Sequence, residues 1–131
     1  MSREEIGWHE PTGPRAPGPG FAFSRPVIDS DYTSRYTAKL ARIGPGGKST
    51  PHVDPHNHAF YFVSGTGRVQ IRKQSWDLAA GTIVKIPQGV PHALENTGAE
   101  DLVFLVIFDP PHVARGPVDQ REPLPADEQG T

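Results

Sequence analysis

From about residue 35 to residue 108 the chain alternates short runs of apolar and β-branched residues with glycine and proline, and each run has the length of a strand. Residues 35–43 mix β-branched, aromatic and charged side chains ahead of Gly44-Pro45-Gly46-Gly47. Residues 59–63 are aromatic and β-rich and stop before Gly65. Residues 68–73 alternate charged and apolar positions, 81–86 form a run ended by Pro87, and 92–95 form a brief one. Residues 102–108 are continuously apolar, which predicts a strand buried on both faces. No amphipathic run of helical period reaches ten residues; residues 30–39 could start a helix, but Tyr32, Thr33 and Tyr36 favour a strand. Short strands separated by Gly/Pro turns predict an all-β barrel or sandwich.

The ends differ. Residues 1–26 hold Pro11, Pro14, Pro17, Pro19 and Pro26 among four glycines, and no periodicity survives there. The expectation is an irregular N-terminal arm over 1–30, a β-barrel domain over 31–112 and a flexible C-terminal tail over 113–131. Trp8, Phe21 and Phe23 could anchor the arm to the domain or to a second subunit. With the apolar run at 102–108 the arm motivates a homodimer, in which it would cover a partner's sheet edge.

At 131 residues the chain suits one domain. A net charge of −2 argues against a nucleic-acid partner. No apolar stretch is long enough for a membrane span, and residues 1–25 lack the apolar core of a secretory leader, so a cytoplasmic protein with no membrane partner is expected. The chain has no cysteine, so any metal must be held by nitrogen and oxygen.

Candidate chemistry is concentrated in two segments. His52, Asp54, His56 and His58 share one parity, which in a strand is one face, although Pro55 should interrupt regular pairing. His92 follows the turn Pro87-Gln88-Gly89, which could aim it across a barrel interior. Imidazole is the commonest protein metal ligand, and clustered His and Asp suit a first-row divalent ion. The same residues could instead form a solvated loop ahead of a strand. Phe60 and Phe62 share parity with His58, and Leu94 with His92, so all three should line the interior beside these groups, whether as pocket wall or as plain core. Arg35, Tyr36, Lys39 and Arg42 precede the site. One or two could bind a substrate carboxylate, but a charged outer face is the commoner explanation and none is assigned. His9 and His112 lie in Pro-rich ends and are taken as incidental.

The two segments resemble the paired motifs of the cupin superfamily. Gly46, His52, Asp54, His58 and Gly65 fall on the first motif without a gap, and Gly81, Pro87, Gly89, His92 and Asn96 match the second at every fixed position. The resemblance covers residues 36–108 and implies a double-stranded β-helix, or jelly-roll, barrel, often dimeric, with one metal inside. By position the implied ligands are His52, Asp54, His58 and His92. Asp54 stands where the family has its second His, and His58 where it has Glu, as in small cupins with four-histidine sites. Asp54 could coordinate and restore one negative charge, fall short and leave a three-His site, or give way to His56; coordination is favoured. His56 is then a neighbour of the ligands or a rim residue that orients one by a hydrogen bond. The implied cofactor is one divalent transition ion, Fe, Mn, Ni, Cu or Zn. The implied function is a metal-dependent enzyme on a small organic substrate, by dioxygenase-type oxidation or isomerase/cyclase chemistry. The alternative is a non-catalytic cupin that binds a small ligand.

Overall fold

The computed structural model describes residues 7–11, 17–112 and the backbone of 122–123. Among these residues all regular structure is strand: β1 (Trp8–His9), β2 (Phe21–Ser24), β3 (Thr37–Ile43), β4 (His52–Val53), β5 (Asn57–Ser64), β6 (Thr66–Ile71), β7 (Gln74–Ala79), β8 (Ile83–Ile86), β9 (His92–Asn96), β10 (Leu102–Asp109) and β11 (Glu122–Pro123). Two antiparallel sheets form, one in the order β1-β2-β3-β10-β5-β8 and the other β11-β4-β9-β6-β7. Their inner faces pack together as a jelly-roll barrel. No helix of the described residues is long and apolar enough to cross a membrane.

Strand β10 organises the first sheet. It pairs along its length with β3 on one side and β5 on the other. Its even positions, Leu102, Phe104, Val106 and Phe108, are buried, while Val103, Leu105 and Ile107 are half-buried. The continuous apolar run therefore does not mean burial on both faces: only the inner one is closed. Phe62 on β5 packs on Phe104 with ring centroids 5.0 Å apart, and Phe60 on Phe104 at 5.6 Å. Val69, Leu78 and Leu94 complete the core from the second sheet. Each buried Phe contributes roughly 1.5–3 kcal/mol of transfer free energy.

Several boundaries differ from the sequence expectation. Phe21–Ser24, expected inside an irregular arm, form a fully buried strand paired with β3, and β1 pairs with β2. These strands add to this chain's own sheet. The strand expected over 68–73 ends at Ile71, because Arg72 takes a φ of +54° and turns the chain into β7. Strand β7 was not foreseen; its residues Gln74 to Asp77 are exposed and carry no apolar alternation. The tail over 113–131 lies outside the described residues apart from the backbone pairing of β11 with β4.

Two contacts tie the sheets and their turns. Buried Asn96, at the end of β9, donates through Nδ2 to the carbonyls of Ile43 (2.7 Å) and Glu100 (2.8 Å), and its Oδ1 accepts from the Gly98 N–H at 2.8 Å. Gly65 turns β5 into β6 at φ +90°, and a Cβ there would stand 2.5 Å from the Asp101 carbonyl oxygen.

Two outcomes follow for urea unfolding. Asn96→Ala should lose about 2–4 kcal/mol, since each buried group left unpaired costs about 1–3 kcal/mol; a loss under about 0.5 kcal/mol would remove the clasp from the account. Gly81 has nearly the same φ as Gly65, +91°, with nothing within 4 Å of a built Cβ. Gly81→Ala should therefore cost only the backbone strain, about 1–2 kcal/mol, and Gly65→Ala clearly more. Equal losses would show that the close approach to Asp101 is not a constraint.

Candidate metal centre

His52, Asp54, His56 and His58 are all buried, and the residues between them are exposed or half-buried. The strand stops at Val53 and resumes at Asn57, so the parity shared by the four residues carries across the bend at Pro55. That bend is held from the other motif: the Gly89 N–H donates to the Asp54 carbonyl at 2.9 Å, and the Gln88 N–H to Asn57 Oδ1 at 2.9 Å. The Pro87–Gly89 turn thus positions both the bend between His52 and His58 and the strand that carries His92.

His52 on β4 and His92 on β9 are direct cross-strand partners, with ring centroids 4.4 Å apart. Each follows a proline, in Thr50-Pro51-His52 and Val90-Pro91-His92. In each, Nδ1 sits beside the carbonyl two residues back, at 3.0 Å for Thr50 and 2.9 Å for Val90. A carbonyl only accepts, so Nδ1 carries the proton, and in the neutral ring the lone pair is on Nε2. Proline helps locally by restricting φ ahead of the histidine. The matched Pro-His pairs set two imidazoles in one tautomer side by side.

His58 arrives from the other sheet. It lies on β5 opposite Ile86 of β8 and Phe108 of β10, and its ring centroid is 5.5 Å from that of His92. Asp54 closes the group. Its Oδ1 accepts from the His56 backbone N–H at 2.9 Å and lies 2.6 Å from His56 Nδ1; its Oδ2 is 3.3 Å from His58 Nε2. Burial is the largest influence on Asp54 and opposes ionisation. The hydrogen bond and charge of His58, with the ring and backbone N–H of His56, outweigh it and hold the carboxyl well below its usual range. The ligating atoms of Asp54, His56 and His58 lie within 4.8 Å of one another, which makes them a candidate metal-binding triad.

His52, His58 and His92 face a small cavity of about 30 Å³, room for about two waters. Its other walls are mainly apolar and include Phe60, Leu94, Phe104, Val106 and Phe108. Phe60 and Leu94 lie on this wall. Phe62 shares that face but sits one step deeper, buried in the core against Phe104.

Two residues near the site were not assigned from sequence. His112, which its Pro-rich surroundings make look incidental, stacks its ring on Phe108 at 4.8 Å and stands edge-on to His56 at 5.3 Å, while its backbone N–H donates to Thr37 Oγ1 at 2.9 Å. In the sequence it directly follows Pro111, as His52 and His92 follow Pro51 and Pro91. Lys39, grouped with an outer charged face, projects inward: it is the register partner of buried Val106, and its Nζ lies 4.1 Å from the Phe23 ring centroid. Arg42, of opposite parity, stacks on Trp8 at 4.6 Å instead.

Comparison with known proteins gives this arrangement its context. The cupin domain family matches residues 39–108, more than half of the chain. The chain is similar to oxalate decarboxylase OxdC of Bacillus subtilis, 32% identical over 81 residues; the match takes in 57% of this chain and 21% of OxdC, so this chain spans about a fifth of that relative. The fold is similar to that of a cupin-2 domain protein from Rhodospirillum rubrum, at TM-score 0.77 and 18% identity over 98% of this chain and 83% of that one. It is also similar to the polyketide cyclase RemF of Streptomyces resistomycificus, at TM-score 0.72 and 21% identity over 92% and 84% of the two chains. The barrel, the two motifs and the family match agree, and the chain belongs to the cupin domain family.

Proposed function

We propose that this cupin is a metal-dependent enzyme acting on a small organic substrate, with one divalent transition ion held by His52, Asp54, His58 and His92. The observation that supports the reading is that His52, His58 and His92 face one cavity while Asp54 stands beside His58. Two imidazoles have their lone pairs set on Nε2 by backbone carbonyls, a third comes from the facing sheet, and a carboxylate held in its ionised form lies beside it. The donor set fits an ion of intermediate softness such as Fe, Mn, Ni, Cu or Zn. The 3.3 Å between Asp54 Oδ2 and His58 Nε2 suits two neighbouring ligands, each of which would stand about 2.0–2.2 Å from a shared ion.

His56 belongs to the compact triad, but its Nδ1 is engaged by Asp54 Oδ1 at 2.6 Å. An imidazole donating to a carboxylate orients it and fixes its second oxygen, which is the part of a group that supports a ligand. We therefore give His56 the task of holding Asp54 rather than a place on the ion. When bound, such an ion would supply Lewis acidity and, if redox-active, electron transfer with oxygen or substrate. The chain's own contribution is orientation and exclusion of water. Phenylalanine rings form much of the wall, and in so apolar a cavity fixed charges act more strongly than in solvent. The small volume limits the substrate to a small molecule or to one end of a larger one. The reaction class we propose is dioxygenase-type oxidation or isomerase/cyclase chemistry. The relative named for oxalate decarboxylation supports a small substrate.

The test is metal content by inductively coupled plasma mass spectrometry on untagged protein supplied with each candidate metal. Parent protein should retain about one equivalent of one of them, and His92→Ala should bind it at least about tenfold more weakly. No retained metal under any supply, or equal retention by His92→Ala, would contradict the proposal. Chelation of the loaded parent should also lower its thermal midpoint, because a ligand at about 100 times its Kd adds about 2.7 kcal/mol to the folded state. An unchanged midpoint would mean that bound metal is not linked to the fold. A loaded protein that turns over no small organic substrate would favour the ligand-binding reading.

A further inference from the structure

The inner wall beside the candidate metal centre carries a cation that the metal reading does not use. On β3 the positions Thr37, Lys39, Ala41 and Ile43 alternate with Ala38, Leu40 and Arg42. Cross-strand partners share a face, so register decides which set looks inward. Lys39 pairs with Val106, and Val106 pairs with Phe60; both partners are buried and line the cavity. The next row toward the bend is Thr37, Phe108 and His58. Lys39 therefore stands on the inner face of β3, one row from His58 and beside residues that line the cavity.

Two aromatic rings flank its ammonium. Nζ lies 4.1 Å from the centroid of Phe23 and 5.4 Å from that of Phe108, and both rings line the cavity. The Phe108 centroid is in turn 4.8 Å from the His58 ring. One aromatic ring thus separates the lysine head from the imidazole cluster. Cation–π contact favours the charged amine at the edge of this apolar space. A half-buried lysine on an outer face would extend into solvent over its own stem; here the register directs it toward the site instead.

We propose that Lys39 binds a carboxylate of the substrate, so that the enzyme acts on small organic acids held between the Lys39 ammonium and the metal centre. This rests on the functional reading above for the metal end only; the lysine end stands on the register and the ring contacts. A carboxylate is the matching ligand class, because a compact ammonium pairs with an anionic oxygen through a charge-assisted hydrogen bond, which is stronger where water is scarce. A neutral molecule of the same shape would gain none of that.

The test is titration of the protein with acetate and with its neutral isostere acetamide, followed by NMR chemical shifts. Parent, Lys39→Met and Lys39→Arg are compared, each in metal-loaded and metal-free form. Met keeps the length of the stem and Arg keeps the charge, and thermal midpoints confirm that all three are folded. Lys39→Met should weaken acetate binding at least about tenfold and leave acetamide unchanged, while Lys39→Arg should recover most of the acetate affinity. Acetate bound equally well by Lys39→Met would overturn the proposal. So would an equal loss of acetate and acetamide, which would make Lys39 a packing residue, or a parent that binds no acetate in either form. If the parent retains no metal but the loss in Lys39→Met is still specific to acetate, the metal reading falls and the carboxylate subsite stands.

Discussion

The register of β10 between β3 and β5 is the constraint on which the interior depends. Because side chains alternate faces, one set of pairings points Lys39, Val106 and Phe60 inward together, and with them Thr37, Phe108 and His58. A slip by one residue would send Phe104, Val106 and Phe108 to solvent and bring Leu105 and Ile107 inside. Both sets are apolar, so hydrophobicity on β10 alone specifies register weakly. Size decides it: the inward set supplies the phenylalanines that interlock with Phe60 and Phe62, and the outward set is aliphatic. The same packing that stabilises the sheet thus aims His58 at the cavity.

The cost of the site is the burial of four histidines and an aspartate in a small barrel. Buried polar groups without partners are expensive, and the chain offsets this in two ways. Backbone carbonyls of Thr50 and Val90 take one ring nitrogen each of His52 and His92, which also sets their tautomers. Asp54 serves His56 with one oxygen and His58 with the other. The sheets divide the labour, since His52 and His92 belong to one and His58 to the other, and the Asp54–Asn57 bend joins them under the Pro87–Gly89 turn. Metal binding in such a place would be linked to the integrity of the barrel itself, because no single strand holds the proposed donor set.

Much of this was legible in the sequence. The all-β class followed from short runs between Gly and Pro; spacing marked His52, Asp54, His56, His58 and His92 as candidate donors, and the resemblance to cupins implied the set without His56. What escaped notice did so for physical reasons. Phe21–Ser24 is only four residues long and is preceded by Pro17, Gly18, Pro19 and Gly20, so no local period could reveal a strand that exists by pairing with β3. Strand β7 is an exposed edge whose polar residues bury little. Lys39 was ambiguous because both parities of β3 contain apolar residues, and only the pairing with Val106 settles its face. His112 reaches the site through tertiary packing on Phe108, which leaves no signature in a Pro-rich segment.

The central claim is that imidazoles from both sheets and the Asp54 carboxylate meet on one ion. Extended X-ray absorption fine structure at the edge of the loaded metal tests it most directly. The account predicts a first shell of nitrogen and oxygen at about 2.0–2.2 Å with the multiple-scattering pattern of three imidazoles, reduced to two in His58→Ala. A first shell of oxygen alone, or a spectrum unchanged by His58→Ala, would contradict it.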